Sequence, residues 1–210
     1  LDLFVGGRLV PKKYLKAPQS YILNNTNGKF TDVTTQVAPK LEKLGMITDA
    51  VWNDVDGDQQ KELIIVGEWM PITIFKLENG IFSESKMPSL KNTSGWWNSI
   101  TPKDIDHDGD MDFVVGNLGE NYKFKASVEK PFYVYVSDYD NNGTNDVFLA
   151  KPYKNRIVPV RGKECSTEQL PGLSEKFKTY TEFARADITS ILDHVDTKSQ
   201  KHEVQMFQSV

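Results

Sequence analysis

The chain has 210 residues, with 25 Lys+Arg against 29 Asp+Glu and a formal net charge of -4, so it lacks the global basic surface that a nucleic-acid backbone demands. No nucleic-acid partner is expected. The apolar fraction of 39% with 11% aromatic residues is that of a folded chain, and without a run of about 18 apolar residues no transmembrane segment is expected in this sequence.

The opening Leu1-Asp2-Leu3-Phe4-Val5-Gly6-Gly7 reads as a strand of the kind that elsewhere in this chain follows an acidic loop, and the loop itself is expected upstream. Residues 8–17 form a basic, proline-containing connection whose Lys12, Lys13 and Lys16 are read as solvated. Residues 20–23 and 29–33 are short strands joined by an Asn- and Gly-rich turn. Residues 34–44 form a linker with room for one helical turn. A second unit follows, with a strand over 47–52, an acidic loop, a strand over 63–66, and strands over 71–77 and 80–83 joined at Glu78-Asn79-Gly80. Gly45 stands nine residues before Asp54 and Gly95 nine before Asp104, which aligns Met46-Ile47 with Trp96-Trp97 as homologous strands. Residues 117–130 lack alternation and are read as a loop. Strands are expected over 132–136 and 156–160.

Beyond Arg161 the period changes. Ser166 with Gln169 and Thr179 with Glu182 have capping-box spacing, and Phe183, Ile188, Ile191 and Leu192 fall near helical spacing. Short helices are expected over 164–196, followed by a tail or the strand of a further blade over 197–210, with 204–210 the candidate strand and its partner outside this sequence. Cys165 is the sole cysteine, so no internal disulfide can form, and it is read as a buried or half-buried bystander. His107 is read as solvated, and His194 and His202 as isolated.

Three stretches of alternating acids organise the chain. The middle one runs Asp104-Ile105-Asp106-His107-Asp108-Gly109-Asp110-Met111-Asp112 straight into Phe113-Val114-Val115-Gly116. It recurs as Asp54-Val55-Asp56-Gly57-Asp58 leading to Glu62-Leu63-Ile64-Ile65-Val66, and as Asp138-Tyr139-Asp140-Asn141-Asn142-Gly143 leading to Asp146-Val147-Phe148-Leu149. Such an internal repeat takes precedence over any local reading. The first and middle copies lie 50 residues apart (104 − 54) and the middle and third only 34 (138 − 104), so the third unit is abbreviated.

Like charge at this density repels itself in a compact state unless a hard cation sits among the oxygens or water separates them. Calcium takes six to eight oxygens at about 2.3 to 2.6 Å, and a loop delivers them when alternate residues point inward. In the middle loop the ligand set is Asp104, Asp106 and Asp108 at positions 1, 3 and 5, the Asp110 carbonyl, and Asp112 at position 9. In the third it is Asp138, Asp140, Asn142, the Thr144 carbonyl and Asp146; in the first, Asp54, Asp56, Asp58, Gln60 and Glu62. The competing reading is a set of solvated Asp/Asn/Gly turns, which need no metal. A catalytic carboxylate pair is disfavoured because a repeat places the same acids in each copy, whereas an active site needs unlike environments to separate acid from base.

An EF-hand would carry a bidentate Glu at position 12 and flanking helices. Position 12 is here Ile65, Val115 or Leu149. The loops, together with Phe-Val-Gly-Gly, Ile-Val-Gly-Glu and Val-Val-Gly-Asn and the stretch from Tyr21-Ile22-Leu23-Asn24-Asn25-Thr26-Asn27-Gly28 to Lys29-Phe30-Thr31-Asp32-Val33, resemble the FG-GAP and VCBS repeat proteins, the family of the integrin α-subunit propeller. The resemblance covers most of residues 1–149. It implies a mainly β fold, a β-propeller fragment of about three antiparallel blades over 1–163 with a short C-terminal helical insertion. The first loop departs from the family pattern, with Gln59 where Gly is expected at position 6, Gly57 earlier, and Glu62 at position 9.

The function so implied is a non-catalytic, calcium-stabilised recognition module of a larger extracytoplasmic protein, secreted or at the cell surface, binding protein or carbohydrate. The alternative is an accessory or catalytic segment of a polysaccharide-acting enzyme. Trp69 and Trp96 are the candidate ligand-binding aromatics, against the commoner role of strand tryptophans in a core. Exposed blade edges are expected to pair with missing blades or a second copy.

Overall fold

In the computed structural model, residues 2–192 and 200–210 are described; Leu1, His194 and residues 197–199 of the expected tail lie outside the described residues. The described chain is mainly β, in antiparallel sheets with short helices, and it divides into two units. Unit 1 comprises Leu1–Val10, Lys16–Lys125 and Met206–Val210; unit 2 comprises Pro11–Leu15 and Ala126–Gln205. Among the described residues no helix is long and apolar enough to cross a membrane.

Unit 1 begins with β1 (Leu3–Val5), which pairs with β2 (Tyr21–Thr26), itself hairpinned to β3 (Lys29–Asp32). The turn falls at Asn27 and Gly28, both left-handed at φ 53° and 86°, the geometry a two-residue hairpin needs to match strand twist. The helical turn expected within residues 34–44 is α1 (Thr34–Val37). Then come β4 (Met46–Asn53), β5 (Glu62–Met70), β6 (Thr73–Glu78) and β7 (Ile81–Ser85) as consecutive antiparallel neighbours, with a second left-handed turn at Asn79 and Gly80. The short β8 (Gly95–Trp96) pairs with β5, and β9 (Ser99–Lys103) pairs with β10 (Asp112–Gly116).

Every residue of β5 is buried. Successive side chains of a strand point to opposite faces, and both faces are covered. Leu63 and Ile65 join Ile22, Leu41, Ile47 and Phe75 in one cluster; Ile64 and Val66 join Ile74, Trp97, Ile100 and Val115 in the other. This double burial explains why the segment reads as a continuous apolar run instead of alternating.

The strand expected to begin at Trp96-Trp97 is split. Trp97 N–H donates to the Gly67 carbonyl on β5 at 3.3 Å, whereas the next residue, Asn98, donates to the Gly116 carbonyl on β10 at 2.8 Å. The counterpart strand β4 stays continuous because a register shift between Ile47 and Asp49 absorbs the same irregularity.

In unit 2, β11 (Phe132–Ser137), β12 (Asp146–Tyr153) and β13 (Arg156–Pro159) form a meander, followed by α2 (Lys163–Gln169), α3 (Leu173–Lys176), α4 (Tyr180–Arg185) and α5 (Ile188–Ile191). The final strand, β14 (Gln200–Val204), starts earlier in the chain than its sequence suggests, and its partner is β11, in the same sheet. Phe183, Ile188, Ile191 and Leu192, singled out by spacing, pack with Leu173 and Phe177 against Tyr135, Phe148 and Ala150 of the sheet.

Of the two capping-box spacings, only Thr179 with Glu182 forms the box. Ser166 lies inside α2, whose N-cap is Gly162, and it is the residue that α2 buries. Cys165, expected to be buried or half-buried, is exposed. Successive helix residues differ by about 100° around the axis, so burying Ser166 turns its neighbour outward.

Candidate metal centres

The three acidic loops are one structure repeated. Asn53 faces Glu62, Lys103 faces Asp112 and Ser137 faces Asp146 across their hairpins, so each loop joins strands in the same register, displaced along the sequence by 50 residues (103 − 53) and 84 (137 − 53). The carboxylate at position 9 always accepts from the backbone N–H at position 2: Val55 to Glu62 at 3.0 Å, Ile105 to Asp112 at 2.9 Å, Tyr139 to Asp146 at 3.0 Å. Position 5 always accepts from the N–H at position 7, as in Gln60 to Asp58 at 2.8 Å, Asp110 to Asp108 at 3.1 Å and Thr144 to Asn142 at 2.8 Å. Asx turns of this kind bend the loop and turn its carboxylates to one side.

Positions 4 and 6 are left-handed in every copy. Position 4 is Gly57, His107 or Asn141 at φ 76°, 64° and 59°; position 6 is Gln59, Gly109 or Gly143 at φ 69°, 100° and 87°. The apparent misplacement of Gly57 in the first loop is therefore a change in which left-handed position carries the glycine. Gln59 takes up the backbone that Gly109 and Gly143 adopt.

The loops bring together three acids of each expected ligand set, and the position-9 acids Glu62 and Asp112 stand outside those groups. Carboxylate oxygens of Asp54, Asp56 and Asp58 lie within 4.8 Å of one another, as do those of Asp104, Asp106 and Asp108, and those of Asp138, Asp140 and Asp146. Their electrostatics differ. In the middle loop the Asp108 carboxylate, through its hydrogen bond and its charge, pushes the Asp110 carboxyl up, while Asp108 is held down chiefly by the Asp110 backbone N–H. Among the described residues no lysine or arginine pairs with these acids.

In the third loop Asp146 is buried, and that burial pushes its carboxyl up. Asp138 Oδ1 is buried without a hydrogen-bond partner. Its other oxygen accepts from Gly143 N–H at 2.9 Å, and Lys13 comes no closer to it than 4.0 Å. A buried carboxylate oxygen with no protein donor is costly unless a cation or a water reaches it. The middle and third loops thus fit a hard oxygen-seeking ion on donor chemistry alone.

The first loop holds a group that its own sequence does not announce. Lys76 on β6 donates from Nζ to Asp56 Oδ2, and to Asp58 Oδ2 at 2.7 Å, and lies 3.6 Å from Glu62 Oε1. Hydrogen bonds to Asp56 and then Asp58 hold its ammonium well above the usual lysine range, and Lys76 in turn holds Asp58 below the usual carboxylate range.

The family model for an FG-GAP-like repeat matches residues 54–115, from Asp54 at the start of the first loop to Val115, the penultimate residue of β10. The chain carries an FG-GAP-like repeat. No curated protein and no solved structure shows a significant match to it. Within the FG-GAP-like stretch fall both loops whose registers differ by 50 residues, and the third loop repeats the same hydrogen bonds outside it. Of the candidate tryptophans, Trp69 is buried and left-handed at φ 61°, and its ring lies 5.0 Å from that of the half-buried Trp96. Trp97 is fully buried, its Nε1 donating to the Thr93 carbonyl at 2.8 Å. The exposed aromatic surface that a sugar would stack on is therefore small in this pair.

Proposed function

We propose that this chain is a non-catalytic, calcium-stabilised recognition module of the β-propeller type, belonging to a larger extracytoplasmic protein that binds protein or carbohydrate. The observation that carries the reading is the unpartnered, buried Asp138 Oδ1 inside a loop whose hydrogen bonds recur in two other places. Asp104, Asp106, Asp108 and Asp112 would hold one ion with the Asp110 carbonyl, and Asp138, Asp140, Asn142 and Asp146 another with the Thr144 carbonyl. Bound there, the ion supplies charge balance and ties the two strands of each hairpin. Extracellular calcium, being in the millimolar range, suits sites of only moderate affinity.

Repetition of one acid set in several loops supports a structural role over catalysis, since an acid and a base need different environments. Thermal unfolding with calcium and with chelator tests the reading, alongside Asp104→Ala, Asp108→Ala and Asp138→Ala. An ion at 100 times its dissociation constant adds about 2.7 kcal/mol of stability. The midpoint should rise with calcium and rise less in each variant. An unchanged midpoint in the unsubstituted protein would leave the loops as ordinary turns and sink the proposal. A glycan array with turnover assays then separates binding from the polysaccharide-cleaving alternative.

A further inference from the structure

We infer that Lys76 is the resident cation of the first acidic loop, so that this loop takes no calcium while the Lys76 side chain is in place. The inference rests on the calcium reading of the other two loops only for the total number of ions bound.

The sheet itself delivers the lysine. β6 pairs with β5 so that Leu63 faces Phe75 and Ile64 faces Ile74; one step further in that register Lys76 stands beside Glu62. Glu62 occupies position 9 and is 1% exposed. One of its oxygens accepts from Val55 N–H at 3.0 Å, and the other, Oε1, is buried without a hydrogen-bond partner. The Lys76 ammonium, 3.6 Å from that oxygen, is the positive charge that balances it. The same nitrogen donates to Asp56 and to Asp58, so it engages positions 3, 5 and 9 of the ligand set at once. Asp54, at position 1, is held by Gly57 N–H at 2.7 Å and Gln59 N–H at 2.8 Å.

Calcium would need the same three carboxylates. A divalent ion and an ammonium within hydrogen-bond reach of one set of oxygens repel each other, so one excludes the other. The tethered lysine has the advantage of a position fixed by the sheet, with little freedom left to lose. Among the described residues the other loops have no equivalent: β10 ends a two-stranded sheet with no strand alongside Asp112, and Lys13 approaches only one oxygen of Asp138, at 4.0 Å.

The test counts calcium per chain by equilibrium dialysis and elemental analysis, in the unsubstituted protein and in Lys76→Met, Lys76→Gln and Lys76→Arg. The expected counts are two, three, three and two. Asp56→Asn in the unsubstituted background should leave the count unchanged, because that loop holds no ion to lose. With chelator present, Lys76→Met should melt below the unsubstituted protein and recover on adding calcium. A count of three in the unsubstituted protein, falling to two with Asp56→Asn, would overturn the assignment. So would equal counts in the unsubstituted protein, Lys76→Met and Lys76→Gln. If the unsubstituted protein binds no calcium but Lys76→Met binds one, the calcium reading of the other loops fails and the role of Lys76 stands.

Discussion

Tyr139 and Asp146 are joined by a hydrogen bond from the Tyr139 backbone N–H to the Asp146 carboxylate at 3.0 Å, and this bond closes the third loop onto the strand that leaves it. Asp146 is buried, and burial pushes its carboxyl up, so the ionised form is disfavoured there relative to water. Asp146→Asn keeps an oxygen for Tyr139 and removes the charge. In chelator it should unfold at a denaturant midpoint equal to or above that of the unsubstituted protein, while calcium no longer raises its stability as far. Asp146→Ala leaves the Tyr139 N–H without its acceptor and should cost about 1–3 kcal/mol in chelator and more with calcium, if the proposed ion binds there.

Gly67 has no room for a side chain. A Cβ there would sit 2.3 Å from the Met46 backbone carbonyl oxygen and 2.6 Å from Met70 Sδ. At Gly116 the nearest atom is the Ser99 hydroxyl, at 2.8 Å, which can rotate away. Gly67→Ala should therefore lose about 1–3 kcal/mol, in the range of overpacked cores, and Gly116→Ala clearly less. Urea unfolding of the two variants side by side checks the order, and equal losses would mean that the β4 backbone yields as easily as a serine rotamer.

Local chemistry made much of this legible. Asn27-Gly28 and Asn79-Gly80 name their own hairpins, and the alternate acids with a fixed position 9 specify a loop whose hydrogen bonds close within a few residues. What could not be read is what arrives from far along the chain. Lys76 reaches Asp56 from 20 residues away (76 − 56), by strand pairing, and an isolated lysine in a strand carries no sign of it. The alignment of Trp96-Trp97 with Met46-Ile47 found the right repeat but missed the switch of partner between Trp97 and Asn98, because one bulge decides it. Asn117 likewise gives no hint that its side-chain amide nitrogen donates to the carbonyls of Met206 and Gln208, at 3.0 and 3.1 Å, drawing the end of the chain into unit 1. The buried side of α2 was misread because Ser166 occupies it and the more apolar Cys165 does not.

The double burial of β5 makes its two faces separately testable. Ile65→Ala opens the cluster that holds Leu41 and Phe75; Ile64→Ala opens the one that holds Trp97 and Val115. Each should cost about 2–5 kcal/mol. Val114, which β10 leaves 49% exposed, should lose only about 0.5 kcal/mol or less on change to Ala. Chemical denaturation of the three variants separates a strand covered on both faces from one covered on a single face.

Acid should weaken unit 2 through the cap of α5. Asp187 accepts from Ser190 N–H at 2.8 Å, Ser190 Oγ at 2.7 Å and Thr189 Oγ1 at 2.9 Å. These bonds, the Ser190 hydroxyl first, hold its carboxyl below the usual carboxylate range. A folded pKa below the unfolded one means that the unfolded chain binds more protons between the two values. The stabilisation is thus complete above the unfolded value, near 3.9, and disappears as pH falls through the lower folded value. Asp187→Ala should cost about 1 kcal/mol at pH 7, as loss of an N-cap does, and Asp187→Asn much less, because asparagine caps as well as aspartate. The gap between the unsubstituted protein and Asp187→Ala, followed by urea unfolding, should narrow as the pH falls from the unfolded value through the lower folded one. A gap that stayed constant with acidification would show that the ionised carboxylate is not what holds the start of α5.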